Sequence, residues 1–258
     1  IWAVPPGTGC YKLGNDFPAT NISWYDAARF TNWLNTREGY REAYRFVADD
    51  FELWPSRVAW QDGGENLFRH KDCRYFIPSE DEWYKAAYYD VNKPGYWLYP
   101  TGSDTPPSAV SNGTAPNTAV YSPPGPQYRI AYVNSAGGAS PFGTVGQGGN
   151  TWEWLESTNS GSFNVTENRV RRGGDWANPV ANLQSTVRES TPPEVSQDGH
   201  LGFRVASNIT TSKPLLELIT IGDAYNSPNL SRVGDESGRP LGEFGYVPYV
   251  YQIAKYTI

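Results

Sequence analysis

Two stretches of the chain repeat the three-to-four spacing of a helix with one buried face, and each opens on a capping signature. In the first, Ala27, Phe30, Thr31 and Leu34 fall at i, i+3, i+4 and i+7, with Ser23 as N-cap and Asp26 three residues on. In the second, Ser79 follows Pro78, Glu82 lies three residues later, and Trp83, Ala86 and Ala87 share a face. Trp83 and Trp152 are expected in the core. Shorter apolar runs bounded by glycine or polar turns predict strands over residues 150–155, 169–172 and 201–206. Residues 215–221 and 247–258 also read as strands, the latter rich in β-branched and aromatic side chains. Between residues 89 and 149 Pro, Gly, Ser, Thr and Asn dominate, which predicts long irregular loops pinned by aromatics such as Tyr96, Trp97 and Tyr99. The sum is a loop-rich α+β fold with few helices and no internal repeat.

Composition narrows the class. The chain has 258 residues, 26 glycines and 21 prolines, so turns are plentiful without low complexity. Aromatics make up 15% and charged residues only 19%, enough apolar surface for a core. A net charge of −6 with no long run of one sign argues against nucleic acid or anionic lipid as partner. No segment has the length of apolar sequence that a membrane-spanning helix needs. Ile1 and the absence of methionine are read as a start downstream of the translation start. Two histidines, His70 and His200, and two cysteines are too few for the usual zinc sites.

Five motifs recur in one order: Pro18 to Ala27, Ile77-Pro78-Ser79-Glu80-Asp81-Glu82-Trp83, Gly149-Asn150-Thr151-Trp152-Glu153-Trp154, Arg172-Gly173-Gly174-Asp175-Trp176, and Leu201-Gly202-Phe203-Arg204. Together they resemble the formylglycine-generating enzyme, or sulfatase-modifying-factor, family, whose domain is a variant of the C-type lectin fold. The resemblance implies a sulfatase-modifying-factor-like domain over residues 1–206, a linker over 207–214, and a strand-forming tail over 215–258. The family's enzymes oxidise a substrate cysteine with a copper ion held by two cysteines. Counting from the glycines, those positions hold Asn178 and Leu183, a poor soft-metal ligand and a hydrocarbon. The related iron-dependent sulfoxide synthases need a histidine cluster that two distant histidines do not supply. The resemblance therefore points to a family member without the family's chemistry.

The family also implies a structural calcium. Glu153 with the carbonyls of Gly149 and Thr151 are the candidate ligands, although Gly146 stands where the family usually has Asp or Asn. The other reading has Glu153 accepting loop hydrogen bonds without metal. Arg204 is expected to form an ion pair at the core edge. Asp175, Glu153 and Glu189 are conceivable paired carboxylates, with nothing in the sequence to fix their separation. Cys10 and Cys73 admit two readings, a structural disulfide or two buried thiols.

The tail is the anomaly. Residues 216–223 and 250–258 resemble the strands that open this domain in the family, yet here they follow it. A sheet lacking them would present unpaired backbone groups. The tail can close on its own domain, insert into the next copy, or begin a second domain. Val250, Tyr251, Ile253, Tyr256 and Ile258 are the candidate assembly residues. The leading functional expectation is a non-catalytic secreted or cell-surface structural subunit that self-assembles, in the extreme as a filament by strand complementation. A lectin-like module binding a glycan or protein ligand is the alternative, and an unrecognised enzyme of the family is the third.

Overall fold

The computed structural model describes residues 16–93, 95–122, 129–195, 199–208, 214, 216–229 and 244–258. The first helix, α1, covers Trp24–Arg37. Ser23 caps it: its hydroxyl accepts from the Asp26 amide at 3.1 Å, and the Asp26 carboxylate accepts from the Ser23 amide at 3.0 Å. The second helix, α2, covers Glu80–Tyr88 and closes the same reciprocal pair between Ser79 and Glu82. Both predicted caps are where the sequence placed them. The buried face of α1 carries Trp24, Ala27, Ala28, Thr31 and Leu34, while Phe30 sits half-buried at its rim against Phe203.

Between the helices lie β1 (Arg45–Val47), β2 (Asp50–Glu52), β3 (Ala59–Trp60), β4 (Asn66–His70) and β5 (Tyr75–Phe76). After α2 come β6 (Ser108–Ala109) and β7 (Thr118–Ala119), and then β8 (Trp152–Thr158), β9 (Arg169–Arg172), β10 (Glu189–Thr191), β11 (Leu201–Phe203), β12 (Ala206–Ser207), β13 (Leu218–Ile221) and β14 (Tyr251–Ala254). Two four-stranded sheets organise them. One has the order β10-β9-β8-β11, with β11 parallel to β8; the other has the order β13-β14-β12-β5 and is antiparallel throughout. Among its described residues, the expected loop region is irregular apart from β6, β7 and a short 3-10 turn.

The core joins α1 to both sheets through aromatic side chains. Trp24 and Trp154 cross-brace it: the Trp24 indole donates to the Leu155 carbonyl and the Trp154 indole to the Ile22 carbonyl, each at 3.0 Å. A buried indole usually finds such a partner, since leaving its N–H unsatisfied is costly. Trp83 and Trp152 are also buried.

The tail lies in the sheet of its own chain. β14 pairs with β13 on one side and with β12 on the other. Beyond the ladder, the Ala254 amide donates to Val205 at 2.7 Å, the Ile258 amide to Phe203 at 2.9 Å, and the Ala19 amide to Ile258 at 2.7 Å. Tyr251 and Ile253 are buried, Tyr256 and Ile258 half-buried, and Val250 exposed. The strand is shorter than residues 247–258, because the chain from Tyr246 to Tyr249 leaves the sheet to line a cleft.

Candidate functional site

Asn178 and Leu183, read from the sequence as the positions of the family's copper ligands, follow the turn after β9. Gly173 and Gly174 take φ of +101° and +71°, and a side chain on Gly173 would meet the Gln147 carbonyl at 2.7 Å. The turn brings Asp175 and Asn178 together: the Asp175 amide donates to the Asn178 side-chain oxygen at 3.1 Å, and the Asn178 amide donates back to the Asp175 carbonyl at 3.2 Å. Leu183 is fully buried beside Tyr99, Ala119 and Tyr121. Copper does not fit here. One position is a hydrocarbon in a packed core, and the other spends its oxygen on the turn.

The Gly149–Glu153 segment is equally committed. Only glycine fits at 149, since a Cβ would fall 2.1 Å from the Val120 carbonyl. The Gly149 carbonyl accepts the Thr151 amide at 2.9 Å. Both oxygens of the Glu153 carboxylate take guanidinium donors of Arg204 at 2.6 Å; one also accepts the Trp83 indole at 2.6 Å and the other the Thr257 hydroxyl at 3.1 Å. Calcium needs those same oxygens and would face the guanidinium, so the residues present do not fit the ion at Glu153. Arg204, expected at the core edge, is wholly inside, and its other donors reach the Ala254 carbonyl at 2.9 Å and the Val145 carbonyl at 3.0 Å.

The three carboxylates considered for paired chemistry go to separate partners. Glu153 pairs with Arg204, Glu189 with Arg171 at 2.8 Å, and Asp175 with His200 at 3.2 Å. Cys73 is a buried free thiol whose pKa burial pushes up to about 12, while Cys10 lies outside the described residues. Of the loop aromatics, Tyr99 is buried and the Tyr96 hydroxyl donates to the Gly245 carbonyl at 2.9 Å, so both hold loops in place. Trp97 lies under the Lys93 ammonium, 3.8 Å from the ring centre.

A second feature escaped the sequence reading. At the start of α2, the buried Arg69 guanidinium bridges two buried carboxylates, reaching Glu82 at 3.0 Å and Glu156 at 2.7 Å. Glu82 is the capping-box residue of α2, and its remaining lone pairs accept the Ser79 amide and the Tyr249 hydroxyl, each at 2.6 Å. Arg69 and these donors hold the Glu82 carboxyl below its ordinary range against the opposing cost of burial. Glu156 also accepts from the Tyr44 hydroxyl at 3.0 Å and from the Asn66 amide at 2.5 Å. Above this triad opens a cleft of about 330 Å³. It is walled by β3 and β4, the start of α2, the end of β8 and the tail segment from Tyr246 to Tyr249.

An α+β domain with two capped helices, a β8 strand led by Gly-Asn-Thr-Trp-Glu-Trp and a buried Glu153–Arg204 pair now stands beside the five motifs. The family profile described as Sulfatase-modifying factor enzyme 1-like domain matches residues 3–209, and the chain belongs to that family. Among solved structures it is similar to the crystal structure of CarF, with 22% identity over 77% of this chain and 70% of that one and a TM-score of 0.54. It is similar also to Treponema denticola variable protein 1, with 21% identity over 78% and 75% of the two chains and a TM-score of 0.50. At these identities the likeness concerns the fold alone. No curated protein sequence matches the chain.

Proposed function

We propose that this chain is a non-catalytic member of its family that works by binding. The observation that supports this most is Leu183, a fully buried hydrocarbon at one of the two positions where the family's enzymes hold copper through a thiolate. Asn178, at the other, is held in the Asp175 turn. No side chain at either place supplies a thiolate, so the electron-transfer centre of cysteine oxidation has no anchor. The test is incubation with copper, oxygen and a peptide carrying the sulfatase cysteine motif. Formylglycine is expected only at the metal-alone background, and any excess over it overturns the proposal.

Self-assembly is the second reading, favoured by the tail. The contacts that β14 makes with β12 and β13 are the ones an exchanged strand would make between two copies. Particle size in dilute buffer tests it: long polymers support exchange, and a particle near 28.7 kDa supports self-closure.

A further inference from the structure

The connection between the last two strands folds back over α2. It leaves and re-enters the sheet at the Ile221–Tyr251 pair, and residues 223–229 on the way out lie against residues 244–249 on the way back. The two legs hold each other: the Tyr225 amide donates to the Val247 carbonyl at 3.1 Å, and Asn229 and Phe244 exchange amide-to-carbonyl bonds at 2.8 and 3.3 Å. The buried Asn226 side chain ties them again, donating to the Gly245 carbonyl at 2.8 Å and accepting the Val247 amide at 3.3 Å. The legs therefore form a unit of their own.

What fastens this unit to α2 is mostly polar. The Asp81 carboxylate accepts the Gly245 amide at 2.9 Å, Glu82 accepts the Tyr249 hydroxyl at 2.6 Å, the Lys85 ammonium donates to the Asp223 carbonyl at 2.8 Å, and the Asn229 side-chain amide donates to the Tyr84 hydroxyl at 2.7 Å. Its apolar anchors are Val247 in the core and Phe244 on the Tyr84 ring, with ring centres 5.7 Å apart. Asp223 and Tyr225 take left-handed backbone, with φ of +56° and +62°, which costs a non-glycine residue energy. Tyr225 stands 73% exposed, so its ring gains little packing in return. An attachment of this kind opens more readily than the buried ladder of β14 at its base.

We propose that residues 223–229 and 244–249 form a strap that lifts from α2 as a unit, with its legs paired and β13 and β14 still in the sheet, and so controls access to the cleft above Arg69. Residues Tyr246 to Tyr249 are one wall of that cleft, so lifting removes the wall and withdraws the Tyr249 hydroxyl from Glu82. This goes beyond the reading of the chain as a binding module and stands apart from the copper positions. The strap also responds to pH. Burial pushes the Asp81 carboxyl up to about 7, with Glu80 and Glu82 adding to the shift and the Gly245 amide and Arg172 opposing it. Lifting exposes the carboxyl to water and returns it toward its ordinary value, so the lifted strap has released a proton that the closed one holds. Rising pH toward 7 therefore favours lifting. Lys85, which burial lowers to about 8, stays charged in that range, and Tyr96 and Tyr251, which also face Asp81, stay neutral with pKa values raised by burial. On the cleft side stand Arg69, engaged by Glu82 and Glu156, and the exposed carboxylates of Asp62 and Glu65.

Amide hydrogen exchange followed by NMR on the whole chain tests the strap. After correction for intrinsic rates, the Gly245 amide should open at least about tenfold more often than the Asn229, Phe244 and Ala254 amides. Its opening should rise about tenfold from pH 5 to pH 6 and level off above about pH 7, and the rise should vanish in Asp81→Asn. Tyr249→Phe deletes the hydroxyl on Glu82 and should raise Gly245 opening about tenfold, with no comparable change at Ala254. Exchange of Gly245 in step with Ala254 throughout would mean that the strap opens only with global unfolding, and equal opening at Gly245, Asn229 and Phe244 would mean that it frays instead of lifting. Either result overturns the proposal, as does an opening of Gly245 that ignores pH. Should Asp81→Asn fold poorly, the wild-type pH profile and Tyr249→Phe decide the matter.

Discussion

The guanidinium of Arg204 and the carboxylate of Glu153 meet through two parallel 2.6 Å hydrogen bonds with neither side chain exposed. This pair ties β8 to the turn between β11 and β12, to α2 through Trp83, and to the tail through Thr257 and Ala254. Removing one partner leaves a buried charge unpaired, which typically costs about 3–5 kcal/mol. Arg204→Met should lower the unfolding free energy read from urea denaturation by that amount. Adding Glu153→Gln should recover part of it, since the double variant buries no net charge. A double variant that falls by the sum of the two singles would remove the pair as the cause.

The α2 cap is the place to separate a local from a tertiary role. Ser79→Ala removes the hydroxyl that accepts the Glu82 amide and should cost about 1 kcal/mol in denaturant unfolding. Glu82→Gln should cost more, because it also loses the carboxylate that Arg69 and Tyr249 hold. Equal losses would mean that Glu82 acts through the cap alone.

Tyr251 measures the worth of the docked tail. It is fully buried, and its hydroxyl donates to the Glu82 carbonyl. Tyr251→Ala should destabilise by about 3–5 kcal/mol, and removing residues 247–258 should leave a chain that aggregates and is rescued by a peptide of that sequence. Crosslinks from Lys255, which lies 2.8 Å from Glu217, should stay within one chain when labelled and unlabelled copies are mixed. Crosslinks between differently labelled chains would show exchange instead.

Asp81 predicts a pH dependence of stability with a definite sign. Its folded pKa stands at about 7, above the ordinary carboxyl value that the unfolded chain has. Between about pH 4 and about pH 7 the folded state therefore holds a proton that the unfolded state has released, and stability falls as pH rises. In Asp81→Asn that slope should vanish, so the variant gains on the parent toward neutral pH in thermal melts. An unchanged slope would assign it to another group.

Both helices were legible because a Ser three residues before an acid signals a capping box whatever the tertiary context. The tail strand was legible from its β-branched and aromatic run, although sequence left open which sheet it joins. The hairpin of β1 and β2 gave no such warning: Ala48 and Asp49 take φ of +47° and +73°, where a two-residue turn ordinarily uses Asn-Gly. The cleft was invisible for another reason. Asn66 and Glu156 are 90 positions apart, and nothing local marks Arg69 as the cation that both Glu82 and Glu156 need. From sequence Glu153 reads as a calcium ligand or an acceptor of loop hydrogen bonds, whereas the donors that claim it, Trp83, Arg204 and Thr257, come from three distant segments.

The placement of β14 also sets an order of events during synthesis. Arg204 leaves the ribosome about 50 residues before the Ala254 carbonyl that one of its donors requires. At typical elongation rates that gap lasts roughly 3–10 s, far longer than a small domain needs to collapse. During those seconds the guanidinium has Glu153 but not its full set of acceptors, and the edge of β12 is open to any extended segment nearby. Docking of β14 then covers that edge.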